Sequence, residues 1–338
     1  MATHTEYGSD TKATTVADAF PNQIKDRVVL VTGVSRGGIG GGAVLAFARQ
    51  SPSLLILVSR TQSKLDEVTA DIKAIDPAVS VKSVVVDLAS QASVRKGAEE
   101  IKSSTSRIDL FINNAGMNVR KRAYSPEGIE SQLATNHIGP FLLTNLLRDQ
   151  LLAAAKDSAP GATRIVNVSS AGHRSSPFRF HDYNNEGWPI PADEAGNAHL
   201  FPDAIKQPFD GYCGLLAYCH TKTANVLFSA ELNKRFAGTG VVSYALHPGT
   251  IFTEVLRDMS DIMDEASKFM EQFELKAGID EGASTTVVAA VDPALNEVKG
   301  SSIFLEDCQL VDAEPYAVDP EKAEKLWKLS EELVKQEF

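Results

Sequence analysis

An α/β fold, doubly wound around a seven-stranded parallel sheet, is what this 338-residue sequence predicts. Three observations carry that expectation. Short apolar, β-branched runs recur along the chain, helix-like segments separate them, and the first run leads through a glycine-rich turn into a helix. Continuous apolar runs alternating with helices indicate strands buried on both faces, hence a parallel sheet with helices on either side. No internal repeat or low-complexity linker divides the runs, so one domain over residues 23–312 fits better than the two that length alone allows.

Taken in order, residues 1–22 are polar and acidic without an apolar targeting core, and read as a flexible N-terminal tail. Residues 27–32 form the first strand, ending at Gly33, and residues 43–49 look helical. Between them, the turn from Thr32 to Gly42 carries Gly33, Gly37, Gly38, Gly40 and Gly41. Such a turn lets the backbone approach a pyrophosphate while the helix N-terminus offers free N–H groups; by itself it could equally be a plain flexible loop. Six further runs, 54–58, 84–86, 108–112, 164–168, 241–246 and 302–305, complete seven strands. The last segment, 313–338, holds a charged amphipathic helix with Leu326, Trp327, Leu329, Leu333 and Val334. It is expected to pack on the domain or on a partner, which leaves a homodimer open.

Composition excludes several function classes. A net charge of −11 with no basic block gives nothing to neutralise nucleic-acid phosphates. Cys213, Cys219 and Cys308 form no CxxC pair and are odd in number, so free thiols in a reducing compartment are expected rather than disulfides. The seven His residues show no ligand spacing, so no metal site is expected. No run reaches the ~18 apolar residues of a membrane span. Together these readings point to a cytoplasmic enzyme or binding protein.

Functional residues of a doubly wound fold collect at the carboxyl ends of its strands. Here those ends are polar: Ser59-Arg60, Asp87-Leu88, Asn113-Asn114-Ala115-Gly116, Ser169-Ser170 and His247-Pro248-Gly249-Thr250. A second signal is Tyr218 and Lys222 in a helix-forming run, residues 215–228. Four apart on a helix, phenol and ammonium share one face, and a nearby cation favours the phenolate, bringing Tyr toward neutral-pH acid–base work. Taken alone, the pair could be an ordinary surface contact. Likewise Asn136 could bond locally, Ser169-Ser170 could cap a helix, and Pro248-Gly249 could be only a turn.

With the runs 135–147 (TNHIGPFLLTNLL), 164–170 (RIVNVSS) and 216–222 (LAYCHTK) in that order, the chain resembles the short-chain dehydrogenase/reductase family, and within it the retinol dehydrogenase-like branch. The similarity covers residues 26–300. It implies a Rossmann domain binding NADP(H), with Tyr218 as proton donor to a carbonyl or base toward an alcohol. Lys222 would lower the Tyr pKa and hydrogen-bond the nicotinamide ribose, Ser170 would hold and polarise the substrate oxygen with Ser169 in support, and Asn136 would anchor a water linking Lys222 to solvent. The implied cofactor surface comprises Gly33, Ser35, Arg36, Gly38, Ile39, Gly40, Arg60, Asp87, Leu88, Asn114, Ala115, Gly116, Pro248, Gly249, Thr250 and Thr253, joined by Tyr218 and Lys222. Arg60 stands at the end of the second strand where an NAD site would place an acid, so NADP(H) is the expected cofactor, with Asp87 meeting the adenine.

Two departures from the family pattern matter. Four residues rather than three separate Gly33 from Gly38, which puts the phosphate contacts in doubt, and 48 positions rather than a dozen or so separate Ser170 from Tyr218. The extra chain, 173–215, is rich in aromatics (Phe178, Phe180, Tyr183, Trp188, Phe201, Phe209 and Tyr212) and interrupted by prolines, so a packed lid over the cleft is expected. Residues 250–278, with Leu256, Met259, Met263, Phe269, Met270 and Phe273, are the expected substrate segment. The function expected is hydride transfer between the nicotinamide and a carbonyl or secondary alcohol of a fairly large apolar substrate. Alternatives are an isomerase, epimerase, dehydratase or C=C reductase on the same scaffold, or a nucleotide-sensing protein without chemistry. NADPH oxidation linked to turnover separates the reductases from the rest.

Overall fold

The computed structural model describes residues 4–196, 211–251 and 275–338. One sheet runs through it in the order β3-β2-β1-β4-β5-β6-β7-β8. Its strands are β1 (Val28–Thr32), β2 (Leu54–Ser59), β3 (Val81–Val85), β4 (Leu110–Asn113), β5 (Thr163–Val168), β6 (Val241–His247), β7 (Phe304–Glu306) and β8 (Gln309–Val311). Strands β1 to β7 pair in parallel, and chain reversal between β1 and β4 at the centre makes the switch point where such folds bind ligands.

Among the described residues the sheet therefore has eight strands, not seven. β8 pairs antiparallel with β7 through the two-residue turn Asp307-Cys308, whose φ angles are +48° and +65°. A tight hairpin needs left-handed residues there and Asn-Gly is its usual sequence signal; Asp-Cys followed by a three-residue strand gives no such signal.

Helices cover both faces: α1 (Ala13–Ala19), α2 (Ile39–Ala48), α3 (Gln62–Ile75), α4 (Gln91–Ser104), α5 (Gly139–Leu146), α6 (Arg148–Lys156), α7 (Gly214–Arg235), α8 (Ile279–Val291) and α9 (Pro320–Val334). One apolar core joins α1, α2, α3 and α8 to one face; the other joins α4, α5, α7 and α9 to the opposite face. All five β1 residues are buried, as a central parallel strand requires.

Residues 13–19 are helix where the sequence suggests tail. Ala13, Val16 and Ala17 form a narrow apolar stripe buried against α8, and Thr14 clamps Asp280 with its N–H (3.0 Å) and hydroxyl (2.7 Å). Three small residues among polar neighbours are too weak a stripe to stand out in sequence. The C-terminal helix packs on its own domain: Trp327 meets Phe141 edge-on at 4.8 Å, and the Arg235 guanidinium lies 3.9 Å from the Trp327 ring centroid.

The described parts of the 173–215 insertion pack closely. Phe178 stacks on His220 of α7 at 5.0 Å and against Phe180 at 4.8 Å, the Tyr212 hydroxyl donates to Glu130 (2.9 Å), and Trp188 is exposed. Phe201 and Phe209 lie outside the described residues, as do Thr253, Leu256, Met259, Met263, Phe269, Met270 and Phe273 of the expected substrate segment.

Candidate active site

The site begins where β1 meets the glycine turn. Gly33 has φ +72°, and a Cβ there would lie 2.6 Å from Ala115 Cα, so the ends of β1 and β4 approach too closely for any side chain. Thr32 Oγ1 accepts from the N–H groups of Asn114 and Ala115 (both 3.1 Å), and Asn114 Nδ2 donates back to Thr32 O (2.8 Å) and Gly33 O (3.2 Å). These bonds satisfy backbone groups that run past the sheet, and they lock the two loops at the switch point.

The additional residue of the glycine turn is taken up locally. Gly37 adopts φ +75°, the Gly38 N–H closes a turn onto Ser35 O (3.1 Å), and Gly38 becomes the N-cap of α2. Ile39 and Gly40 thus stand in the first turn of α2, whose free N–H groups give it a partial positive charge. No heavy atom would lie within 4 Å of a Cβ on Gly37.

Asn136 sits in a π-helical stretch, Ala134–Ile138, immediately before α5. That local widening aims the side chain across to the β4 loop: Nδ2 donates to Met117 O and Thr221 Oγ1 (both 3.0 Å), and Oδ1 accepts from the Met117 N–H (2.8 Å). Both Nδ2 hydrogens are thus engaged, while Oδ1, which accepts one bond, keeps a second lone pair with which it could hold a water.

Ser170 follows β5 and Tyr218 and Lys222 lie one turn apart on α7, so strand, turn and helix converge. A Cβ on Gly172 would stand 3.5 Å from Ser170 Oγ and 3.6 Å from Tyr218 Cε1, so the serine hydroxyl and the phenol ring border one small space. Lys222 Nζ lies 5.3 Å from the Tyr218 ring centroid and donates to Val168 O (2.9 Å), the carbonyl that also accepts from Asn225 Nδ2 (3.1 Å). Ser169 acts on the backbone, donating from Oγ to Lys222 O (2.7 Å), while Ser170 Oγ also accepts from the Gly172 N–H (3.1 Å). Ser170 is thus the capping residue of the turn after β5 and a neighbour of the phenol.

The electrostatics differ from the expectation that Lys222 lowers the Tyr218 pKa. Tyr218 keeps part of its surface exposed, yet close packing around it pushes the phenol well above its ordinary range, opposed in part by the neighbouring Ser170 hydroxyl. Burial also pulls the Lys222 ammonium down to about 8. Desolvation, which disfavours both charged forms, governs both groups in the absence of bound cofactor and substrate, and the ammonium 5.3 Å from the ring centroid does not offset it. A Cβ on Gly116 would stand 3.2 Å from Lys222 Nζ and 3.5 Å from Asn136 Oδ1, so the bare glycine brings the β4 loop directly over the ammonium.

The remaining expected positions are spread around this centre. Leu88 is buried and packs against Gly139, while Asp87 is exposed and turns its carboxylate onto the Ala89 N–H (3.0 Å). Arg60 is exposed at the end of β2 and has no ion pair among the described residues. Arg36 is instead held in a bidentate pair by Asp71 of α3 (2.8 and 2.5 Å). Pro248, Gly249 and Thr250 follow β6, with Gly249 at φ +90°.

Sequence reasoning missed Thr32, Thr221 and the Val168 carbonyl, each acting through a hydrogen bond to an expected residue. Thr221, adjacent to Lys222, could have been suspected from its place one turn after Tyr218; the Val168 carbonyl has no sequence signal at all.

A family model described as short chain dehydrogenase matches residues 27–184. Retinol dehydrogenase 12 of Bos taurus is 34% identical over 316 residues, covering 92% of this chain and 87% of the relative. The chain belongs to the short-chain dehydrogenase family. Another relative of this short-chain dehydrogenase, oxidoreductase fscI of Fusarium equiseti, is 34% identical over 72% of the chain and 94% of its own length. Among solved structures, an uncharacterised protein of Mycobacterium paratuberculosis superposes with TM-score 0.67 at 28% identity, covering 95% of this chain and 98% of the other. Membership establishes an oxidoreductase family with a Rossmann-like fold and a nicotinamide cofactor. Among the described residues no helix is long and apolar enough to cross a membrane, and none of their His, Cys, Asp or Glu residues cluster as a metal site.

Proposed function

We propose that this short-chain dehydrogenase is an NADP(H)-dependent oxidoreductase acting on a carbonyl or secondary alcohol of a fairly large, apolar substrate. The observation that carries the reading is the convergence of the Ser170 hydroxyl and the Tyr218 ring on the space beside Gly172, with Lys222 one helical turn further along α7 and its Nζ 5.3 Å from the ring centroid. Relatives named retinol dehydrogenase support an apolar alcohol or aldehyde as the substrate class. For the cofactor, the glycine turn fits a dinucleotide: Gly33 excludes a side chain, Gly37 is open, and Gly38 starts the helix whose N–H groups would face a pyrophosphate. At the end of β2, Arg60 supplies a cation for a 2′-phosphate, since Arg36 is already held by Asp71.

When bound, the nicotinamide supplies or accepts the hydride. The protein's work is on the oxygen. Ser170 Oγ donates to the substrate oxygen, and Tyr218 gives its proton to that oxygen as negative charge develops, or takes one from an alcohol in reverse. Its raised pKa keeps the phenol protonated at neutral pH, the state needed for reduction. Lys222 stabilises the phenolate left behind and reaches the ribose; Asn136, through its carbonyl, holds a water that returns the proton from solvent.

Assaying NADPH oxidation against a panel of carbonyl compounds tests this directly. Tyr218→Phe should lower kcat by roughly 10²–10⁴-fold while NADPH affinity stays within a few-fold, because the hydroxyl meets substrate rather than phosphate. Near-normal kcat in a folded Tyr218→Phe protein overturns the assignment.

A further inference from the structure

The short hairpin absent from the sequence expectation ties together three segments around the site. Glu306, at the end of β7, pairs with Arg174 of the turn that follows Ser170 (2.6 Å). Asp307 accepts from Lys276 Nζ (2.6 Å), the Cys308 N–H donates to Thr285 Oγ1 (3.2 Å), and Gln309 Nε2 donates to the carbonyls of His4 (2.7 Å) and Tyr7 (2.8 Å). Asp307 and Cys308 both hold left-handed backbone that L side chains disfavour. Strained backbone persists where its surroundings over-determine it, and it concentrates at functional sites.

Lys276 is the centre of this arrangement. Its N–H donates to Thr250 O (2.9 Å), and its stem lies so close to Gly249 that a Cβ there would collide with Lys276 Cε. Beyond Gly249, Nζ reaches both Asp307 Oδ1 and Ser9 O (2.6 Å each). The Lys276 side chain is 2% exposed, so the ammonium depends on these partners rather than on water.

We propose that Lys276 is a positioning residue for the nicotinamide end of the site, and that Asp307 and the segment around Ser9 hold it there. The inference rests on the NADP(H) reading, which gives Pro248, Gly249 and Thr250 to the cofactor. Lys276 touches no reacting atom. Its stem sets the Gly249 backbone, and its ammonium fastens that loop to the β7–β8 hairpin and to the N-terminal segment, which thereby becomes part of the site.

The test compares wild type, Lys276→Met, Lys276→Arg, Asp307→Asn and a chain lacking residues 1–11, by NADPH fluorescence titration and steady-state kinetics. Lys276→Met keeps the stem and loses the charge. It should raise Kd and KM for NADPH at least fivefold while kcat falls by less, and Lys276→Arg should recover most of the loss. Asp307→Asn, at a half-exposed position, and the truncation should shift KM in the same direction; they carry the test if Lys276→Met does not fold. A lower Tm with unchanged KM in the variants overturns the inference while leaving the cofactor reading intact. If wild type binds neither NADPH nor NADH, the cofactor reading fails and takes this inference with it.

Discussion

Lys222 is buried at a cost, and that cost can be measured without knowing the substrate. Its amine falls from the ordinary 10.5 to about 8 because burial disfavours the charge. Between those values the unfolded chain binds a proton that the folded chain has released, so the Lys222 contribution to stability rises with pH across the window, is complete above 10.5 and is lost below 8. At about 1.4 kcal/mol per pH unit the full span is ~3 kcal/mol, of which roughly 2–3 kcal/mol falls between pH 7 and 10. Lys222→Met removes the titration while filling similar space. Urea unfolding of both proteins from pH 7 to 10 should show wild type gaining on the variant by that amount as pH rises. Other groups titrate in this range too, including Cys219, whose thiol burial pushes up to about 12; being present in both proteins, they cancel in the difference. A stability gap that stays constant from pH 7 to 10 would refute the argument that Lys222 is desolvated.

Gly33→Ala places a methyl 2.6 Å from Ala115 Cα at φ +72°, so it should destabilise the fold by about 1–3 kcal/mol and weaken NADPH binding, read by thermal unfolding and fluorescence titration. Arg60→Ala should lower the kcat/KM preference for NADPH over NADH about tenfold, the loss of one charge-assisted contact; an unchanged preference would remove Arg60 from the cofactor site.

Much of the architecture was legible because local patterns repeat along the chain. The apolar runs of β1, β2, β5 and β6 are buried, and their alternation with helix-forming segments is the pattern of a parallel sheet covered on both faces. That Tyr218 and Lys222 share one helix face was legible too, since residues four apart do, although the pair alone could have been a surface contact and only the family resemblance gave it a role. Chain order could not supply what depends on distant segments meeting. The eighth strand and the N-terminal helix are too short to carry a pattern of their own, and exist because β7 and α8 offer surfaces that bury them. Nor could helix spacing say whether cation attraction or desolvation governs Tyr218, since that depends on how closely other segments pack around its hydroxyl. Lys276 is the plainest case: its sequence neighbours mark nothing, and only the convergence of Ser9, Gly249 and Asp307 surrounds its ammonium with partners in place of water. Side-chain chemistry and short-range spacing are written in the sequence, whereas desolvation and long-range hydrogen bonding arise only when the folded chain excludes water.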